Sequence, residues 1–371
     1  MNAVDTSPGA VVDRVFVEEM QIRDYGCIRN ATFRFTPLHA LIGPNDSGKS
    51  TVLRALKTLS FLISDGLTEE QRRTLLRAIE SSKGEGPRMA VSTATMTWAV
   101  DFTPKATYGW RSFRRGGTPG VSEISTPFHY GLPAWLYDWG GLKPAPEIIR
   151  ALENAQTLRL EPDALRAPHS LIPDSEPLRF VDERGTGLPA LYDAILARDL
   201  RAYQAINAEL CRLFPDVESI RLVTVDKHTK GIGVRLVDGT FVPADLMSEG
   251  LLYYLAFAVL PYLAPTSLLL VEEPENGLHP ARIAEVVGVL RAISRKTQVI
   301  LATHSPLVVN ELAPDEVTVV TRNREHGTRA TVLKDVPRFE ERSKVYALGE
   351  LWLSYADGKE EGPLLEGGPR P

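Results

Sequence analysis

Gly43-Pro44-Asn45-Asp46-Ser47-Gly48-Lys49-Ser50-Thr51 fits the pattern G-x-x-x-x-G-K-[ST] of a phosphate-binding loop. In such a loop successive backbone N–H groups curl around a phosphate, and the helix that follows points its positive end at the same anion. Lys49 is placed to reach the β- and γ-phosphates, and the Ser50 hydroxyl to ligate Mg²⁺. From average composition the pattern arises by chance in about one chain in a hundred of this length. The flanks narrow that further. Leu38-His39-Ala40-Leu41-Ile42 before the loop is a short apolar strand, and Val52, Leu53, Leu56, Leu59 and Ile63 after it recur at helical spacing. Asp46 stands where many such loops carry Gly and where the backbone often turns to positive φ, a region Asp tolerates better than most residues.

Two further strands end in chemistry. Ser267-Leu268-Leu269-Leu270-Val271-Glu272-Glu273-Pro274 is an apolar run closed by two carboxylates, the pattern of a buried parallel strand whose carboxyl end faces a ligand. Glu272 is expected to hold Mg²⁺ and Glu273 to orient and deprotonate an attacking water. Thr297 to Ala302 is a second buried strand, ending in Thr303-His304-Ser305-Pro306. There His304 is placed to hydrogen-bond a γ-phosphate as charge builds. Between loop and carboxylates, Ser248-Glu249-Gly250 opens an apolar helix running to about Leu260, with Ser248 as its cap and Gly250 allowing close approach.

Around these motifs the chain reads in order. Val15–Ile22 and Ala31–Phe35 are strand-like, with a turn around Asp24-Tyr25-Gly26. A charged helix follows over Glu69–Ser81, then a strand over Met89–Phe102 with a hairpin partner over Thr107–Phe113. Arg114 to Pro189 carries only short apolar runs among Gly and Pro, and reads as loops and short elements laid over the core. Helical periodicity returns over Leu188–Phe214, closed by Pro215. Strands follow over Ile220–Val225 and Ile232–Val237, the second turning at Asp238-Gly239. Asp357 to Pro371 reads as a mobile tail.

Composition sets limits. A formal net charge of −5 over 371 residues means that any nucleic-acid contact must come from a local patch. Arg111, Arg114 and Arg115 beside Trp110 and Phe113 are one candidate, although an exposed charged hairpin is the plainer reading. Arg72, Arg73 and Arg77 read as a solvated helix face. Cys27 and Cys211 form no C-x-x-C pair, so neither zinc nor a disulfide framework is indicated. No basic and apolar leader opens the chain, and Leu251–Ala264, interrupted by Pro261, falls short of the roughly 20 residues of a membrane span. A cytoplasmic protein without membrane partners is expected.

The order of phosphate loop, Ser-x-Gly helix, carboxylate strand and His strand resembles the ABC-type ATPase heads of the SMC, RecF and OLD group. Within that group it is most similar to stand-alone "AAA family ATPases" with the ending Glu272-Glu273-Pro274-Glu275-Asn276-Gly277-Leu278-His279-Pro280. The segment Leu348-Gly349-Glu350-Leu351-Trp352 is also like theirs. The resemblance implies an α/β P-loop NTPase of the ABC head type, with a mostly parallel core sheet, an N-terminal antiparallel β subdomain and an inserted helical or mixed segment. It reads as one domain: a β and P-loop lobe over 15–110, the insertion over 111–240, the second motif lobe over 241–353, and a tail over 354–371.

The resemblance further implies ATP and Mg²⁺ as cofactors, and two subunits sandwiching two ATP molecules. Ser248 and Gly250 would then contact the nucleotide held by residues 43–51 of the other subunit, with Glu275 and Asn276 at the same interface. Three features depart from the pattern. Glu272 replaces the commoner Asp, Glu249 brings an acid near the γ-phosphate, and no Q-loop glutamine is recognisable after the P-loop helix. No sustained heptads lie between Lys49 and Ser248, so an SMC-type arm is not expected. Nor is a Toprim nuclease domain, since the sequence after His304 is too short for one. The expected function is an ATP-hydrolysing, ATP-driven homodimer in DNA maintenance or antiphage defence, with DNA or a separately encoded effector protein as partner. The alternative is a weakly hydrolysing, nucleotide-gated sensor or scaffold that controls a separate nuclease or toxin. A transporter's nucleotide-binding subunit fits less well, because of the large mixed insertion.

Overall fold

A computed structural model describes residues 15–63, 87–102, 107–114, 124–127, 144–323, 327–336, 339 and 348–349. In chain order the strands are β1 (Glu19–Tyr25), β2 (Ile28–Arg34), β3 (Leu38–Ile42), β4 (Arg88–Ser92), β5 (Met96–Phe102), β6 (Thr107–Arg114), β7 (Ile124–Pro127) and β8 (Gln156–Leu158). They continue as β9 (His169–Ser170), β10 (Val217–Thr224), β11 (Thr229–Leu236), β12 (Phe241–Pro243), β13 (Leu268–Glu272), β14 (Gln298–Thr303), β15 (Val317–Asn323) and β16 (Gly327–Val332). The α-helices are α1 (Lys49–Ile63), α2 (Pro146–Leu152), α3 (Pro162–Arg166), α4 (Leu188–Arg198), α5 (Leu200–Leu213), α6 (Glu249–Ala258), α7 (Pro280–Ser294) and α8 (Pro306–Asn310).

The central sheet runs β16-β15-β3-β14-β13-β8, parallel throughout except for the antiparallel edge strand β16. Its inner strands are apolar on both faces because both faces are covered. Leu41, Leu268, Leu270, Ile300, Ala302 and Val320 pack with Val52, Leu56 and Leu59 of α1 and with Met20, Ile22, Phe33 and Trp98 of an antiparallel sheet. The alternate residues Ala40, Ile42, Leu269, Val271, Val299, Leu301 and Val319 pack with α6 and α7, through Leu252, Leu255, Ile283 and Leu290. The antiparallel sheet is ordered β2-β1-β4-β5-β6-β7, and a smaller one joins β10, β11, β12 and β9. This is the expected fold class: an α/β P-loop fold with a mostly parallel core sheet and an antiparallel β subdomain.

The structure corrects several local expectations. β1 starts and ends later than its apolar residues suggest, and β2 starts and ends earlier: β1 runs on through Asp24 and Tyr25, and the turn falls at Gly26-Cys27, with Gly26 at φ 57°. Met89–Phe102 is two strands, not one. Thr93 N–H bonds Met96 O at 2.9 Å and Met96 N–H bonds Thr93 Oγ1 at 3.2 Å, closing a turn with no Gly or Pro to announce it. Leu188–Phe214 is two helices, because the Asp199 carboxylate accepts from Ala202 N–H at 3.0 Å and starts a new one. The segment expected to lie over the core instead enters it. β8 pairs in parallel with β13 as an edge strand of the central sheet, and Ala155, Leu158 and Leu165 are buried. The helix expected over Glu69–Ser81, with Arg72, Arg73 and Arg77, lies outside the described residues, as do Arg115 and the tail. Arg111 and Arg114 lie on β6, which pairs with β5 as expected.

Candidate nucleotide site

The loop 43–48 leaves the carboxyl end of β3 and delivers Lys49 and Ser50 as the first residues of α1. Its tightness has identifiable causes. A Cβ on Gly43 would stand 2.1 Å from the Val320 carbonyl oxygen of β15, so only glycine fits there. Asp46 sits in the left-handed region at φ 63°, as its position in the motif predicts. Thr328 Oγ1 donates to Ser47 O at 3.1 Å and ties the loop to β16. Pro44, Asn45 and Asp46 are exposed at the rim, whereas Ser47 and Gly48 are buried beneath them. The first turn of α1 carries no acid, which leaves its positive end unopposed. Lys49 is 9% exposed and its ammonium donates to the Gly43 and Pro44 carbonyls at 2.7 and 2.8 Å. Burial lowers the Lys49 pKa, against the opposing pull of Glu273, Glu275, Asp46 and Glu272. Unlike Ser50 beside it, Thr51 is buried, and its hydroxyl stands 3.3 Å from Cys27 Sγ, on the sheet side of the helix.

The carboxylates arrive from the neighbouring strand ends. Ser50 Oγ donates to Glu272 Oε2 at 3.3 Å, joining motifs 222 positions apart. Two hard oxygens this close suit Mg²⁺, which typically takes one or two protein ligands and completes its shell with phosphate and water. Among the described residues no cluster of three or more His, Cys, Asp and Glu forms an all-protein metal site. Glu273 follows in the left-handed region at φ 49°, a strained setting for a non-glycine residue. Its N–H is held by Ala302 O at 2.7 Å, and its Oε2 accepts from Asn276 Nδ2 at 2.6 Å. His304, at the tip of β14, brings Nδ1 within 3.6 Å of Glu273 Oε1. Lys49, Ser50, Glu272, Glu273 and His304 thus gather at the carboxyl end of the central sheet, beyond its inner strands β3, β13 and β14.

Ser248 and Gly250 stand apart from that group. Ser248 caps α6, accepting from Leu251 N–H at 3.4 Å, and a Cβ on Gly250 would lie 3.0 Å from Gly277 O. They border a cavity of about 430 Å³ shared with Phe214, Leu251, Gly277, His279 and Arg282, none of them from the phosphate loop. Within one chain the two halves of the expected site therefore do not meet.

Sequence reading missed two features. The Glu275 side chain, assigned by resemblance to a subunit interface, turns inward and is only 7% exposed. The turn after β8 also brings Arg159 and Glu161 to a cavity of about 230 Å³ that they share with Glu272, Glu273 and Asn276. A three-residue edge strand gives no sequence signal that it neighbours the carboxylates.

A glycine loop and helix N-terminus beside strand-end carboxylates define the class as a P-loop nucleotide-binding fold of the head type. Comparison with known proteins agrees. Residues 144–310 match the family model described as "AAA domain, putative AbiEii toxin, Type IV TA system", and residues 16–66 match "AAA ATPase domain". No curated protein matches the sequence. Among solved structures the chain is similar to an SmcHead bound to the C-winged helix domain of ScpA. The identity is 14%, with 88% of this chain and 99% of that one covered, and the TM-score is 0.52. It is also similar to the Smc head domain with a coiled coil and joint from Pyrococcus yayanosii, at 11% identity, 89% and 100% coverage and a TM-score of 0.51. The chain has the fold of an SMC head, and two stretches of it resemble AAA ATPase domains. No helix among the described residues is long and apolar enough to cross a membrane.

Proposed function

We propose that the protein is an Mg²⁺-dependent ATPase that works by ATP-driven dimerisation in the cytoplasm, controlling a partner in antiphage defence or DNA maintenance. The observation that carries this reading is the convergence of Lys49, Ser50 and Glu272 with the Glu273–His304 pair at the carboxyl end of the central sheet. The loop N–H groups and Lys49 hold the phosphates. Ser50 and Glu272 would hold Mg²⁺, which when bound neutralises phosphate charge. Glu273, oriented by Asn276, takes a proton from a water as its oxygen bonds the γ-phosphorus and the bridging bond to the ADP oxygen breaks. His304 donates toward the γ-phosphate oxygens.

The separate cavity at Ser248 and Gly250 supports dimerisation, because those residues need a second copy's nucleotide to complete a site. The toxin–antitoxin description of the matched family favours defence through a separately encoded effector over DNA maintenance. The test is steady-state ATP hydrolysis by wild type and Glu273→Gln, with and without duplex DNA, with mass read by light scattering. The Gln variant should bind ATP, lose about 100-fold or more in turnover and accumulate as a dimer. Wild-type turnover in that variant rejects Glu273 as the base. Stimulation by DNA would move the reading to DNA maintenance. ATP-driven dimers that turn over slowly and ignore DNA would favour the sensor that controls an effector.

A further inference from the structure

Three glutamates crowd the end of β13, and one behaves unlike the others. The Glu273 side chain is 42% exposed, whereas that of Glu275 is 7% exposed. Glu275 Oε1 accepts from Thr303 Oγ1 at 2.6 Å and from His304 N–H at 3.3 Å. The Thr303 hydroxyl oxygen in turn accepts from Ser305 N–H at 3.0 Å. One carboxylate oxygen therefore anchors three consecutive residues at the tip of β14. The His304 imidazole is left between two acids, its Nδ1 being 3.6 Å from Glu275 Oε1 and 3.6 Å from Glu273 Oε1. Glu275 Oε2 is buried with no hydrogen-bond partner among the described residues. A half-satisfied buried carboxylate is costly for a fold to keep, and such exceptions collect at functional sites.

We propose that Glu275 is a positioning residue: it pins the Thr303–Ser305 tip so that His304 stays beside Glu273. This rests on the ATPase reading above. Glu275 does not touch the nucleotide in this scheme and acts only through His304. A carboxylate suits the role because charge-assisted hydrogen bonds are shorter and stronger than neutral ones. The turn that carries it is itself fixed, since Leu278 N–H bonds Glu275 O at 3.1 Å.

The test compares Glu275→Ala, Glu275→Gln and Thr303→Val in the full chain, by turnover, KM for ATP, melting temperature and backbone amide exchange. Glu275→Ala should lower kcat by about 10- to 100-fold, the scale of a displaced catalytic group, with KM changed less than about twofold. Glu275→Gln should recover most of the loss, because its amide oxygen still accepts from Thr303. Amide exchange at His304 and Ser305 should quicken about tenfold in Glu275→Ala and Thr303→Val and stay near wild type in Glu275→Gln. Wild-type kcat in Glu275→Ala overturns the proposal. So does a Gln variant as impaired as the Ala variant, or kcat and KM that worsen only in step with melting temperature. If the wild type does not hydrolyse ATP, the ATPase reading fails, and amide exchange alone decides whether Glu275 pins the tip.

Discussion

The two ends of the central sheet are made from the same strands and treat polar groups in opposite ways. At the amino end they are buried and satisfied. Gln298, fully buried at the start of β14, donates to Val17 O at 2.8 Å and accepts from Val17 N–H at 3.0 Å, tying the segment before β1 to the sheet. Thr297 Oγ1 donates to Thr266 O at 2.7 Å. His39 on β3 lies between Thr36 and Thr318, at 3.2 and 2.9 Å. At the carboxyl end Glu273 is in a left-handed conformation, and Ser47 Oγ and Glu275 Oε2 are buried without hydrogen-bond partners among the described residues. Strand-end strain and unmet hydrogen bonds mark where binding energy is expected to come from a ligand, whereas satisfied groups mark where the fold holds itself together.

That contrast makes opposite demands on mutants at the two ends. The largest effect is expected from Lys49→Ala. Removing the cation should cost ATP binding on the order of 2–5 kcal/mol, the scale of truncating a buried charge contact, measured by calorimetric titration. The melting temperature of the nucleotide-free protein should stay level or rise, because burial disfavours the Lys49 charge by more than the four nearby acids favour it. A Lys49→Ala protein that melts earlier yet binds ATP normally would mean that the lysine belongs to the structural end of the contrast.

Gln298→Ala should do the reverse. It strands a buried backbone N–H and carbonyl at Val17, which costs about 1–3 kcal/mol for each buried group left unpaired, read as a lower urea midpoint. ATP affinity should be unchanged, since Gln298 lies at the opposite end of β14 from His304. A Gln298→Ala variant as stable as wild type would show that water or a local shift replaces those bonds.

How much of this was legible in the sequence follows the same division. The phosphate loop and the two strands that flank its chemistry were readable because parallel strands buried on both faces are continuous apolar runs, broken only where they end in function. Motif order then placed Glu272, Glu273 and His304. What remained hidden depended on side chains meeting across the chain. Thr303 and Glu275 are 28 positions apart, and nothing in either segment alone says that one donates to the other. β8 is too short to carry a period, and the breaks at Thr93 and Asp199 are made by ordinary polar side chains that bond the local backbone. Asp199 did carry a signal, an N-cap residue directly ahead of an apolar helical pattern, but unbroken periodicity on both sides masked it.

The smallest effect separates the ends by pH. Burial pushes the His39 pKa down to about 3, only partly offset by the nearby Glu316 carboxylate. Thr36 Oγ1 donates to Leu38 O at 2.5 Å, so it accepts from His39 Nδ1–H, and Nε2 is left to accept from Thr318. The native fold therefore holds the neutral ring, while the unfolded chain protonates near the ordinary value of about 6.5. A folded-state pKa below the unfolded one makes this contribution whole above about pH 6.5 and erodes it as pH falls toward 3, by about 1.4 kcal/mol per unit. Between pH 7 and pH 5.5 the wild type should lose roughly 1 kcal/mol through this group. His39→Gln, which keeps a donor and an acceptor but does not titrate, should show a flatter urea midpoint over that range. Equal pH slopes in the two proteins would mean that the ring protonates without disturbing the sheet, and that the amino end is more yielding than its hydrogen bonds imply.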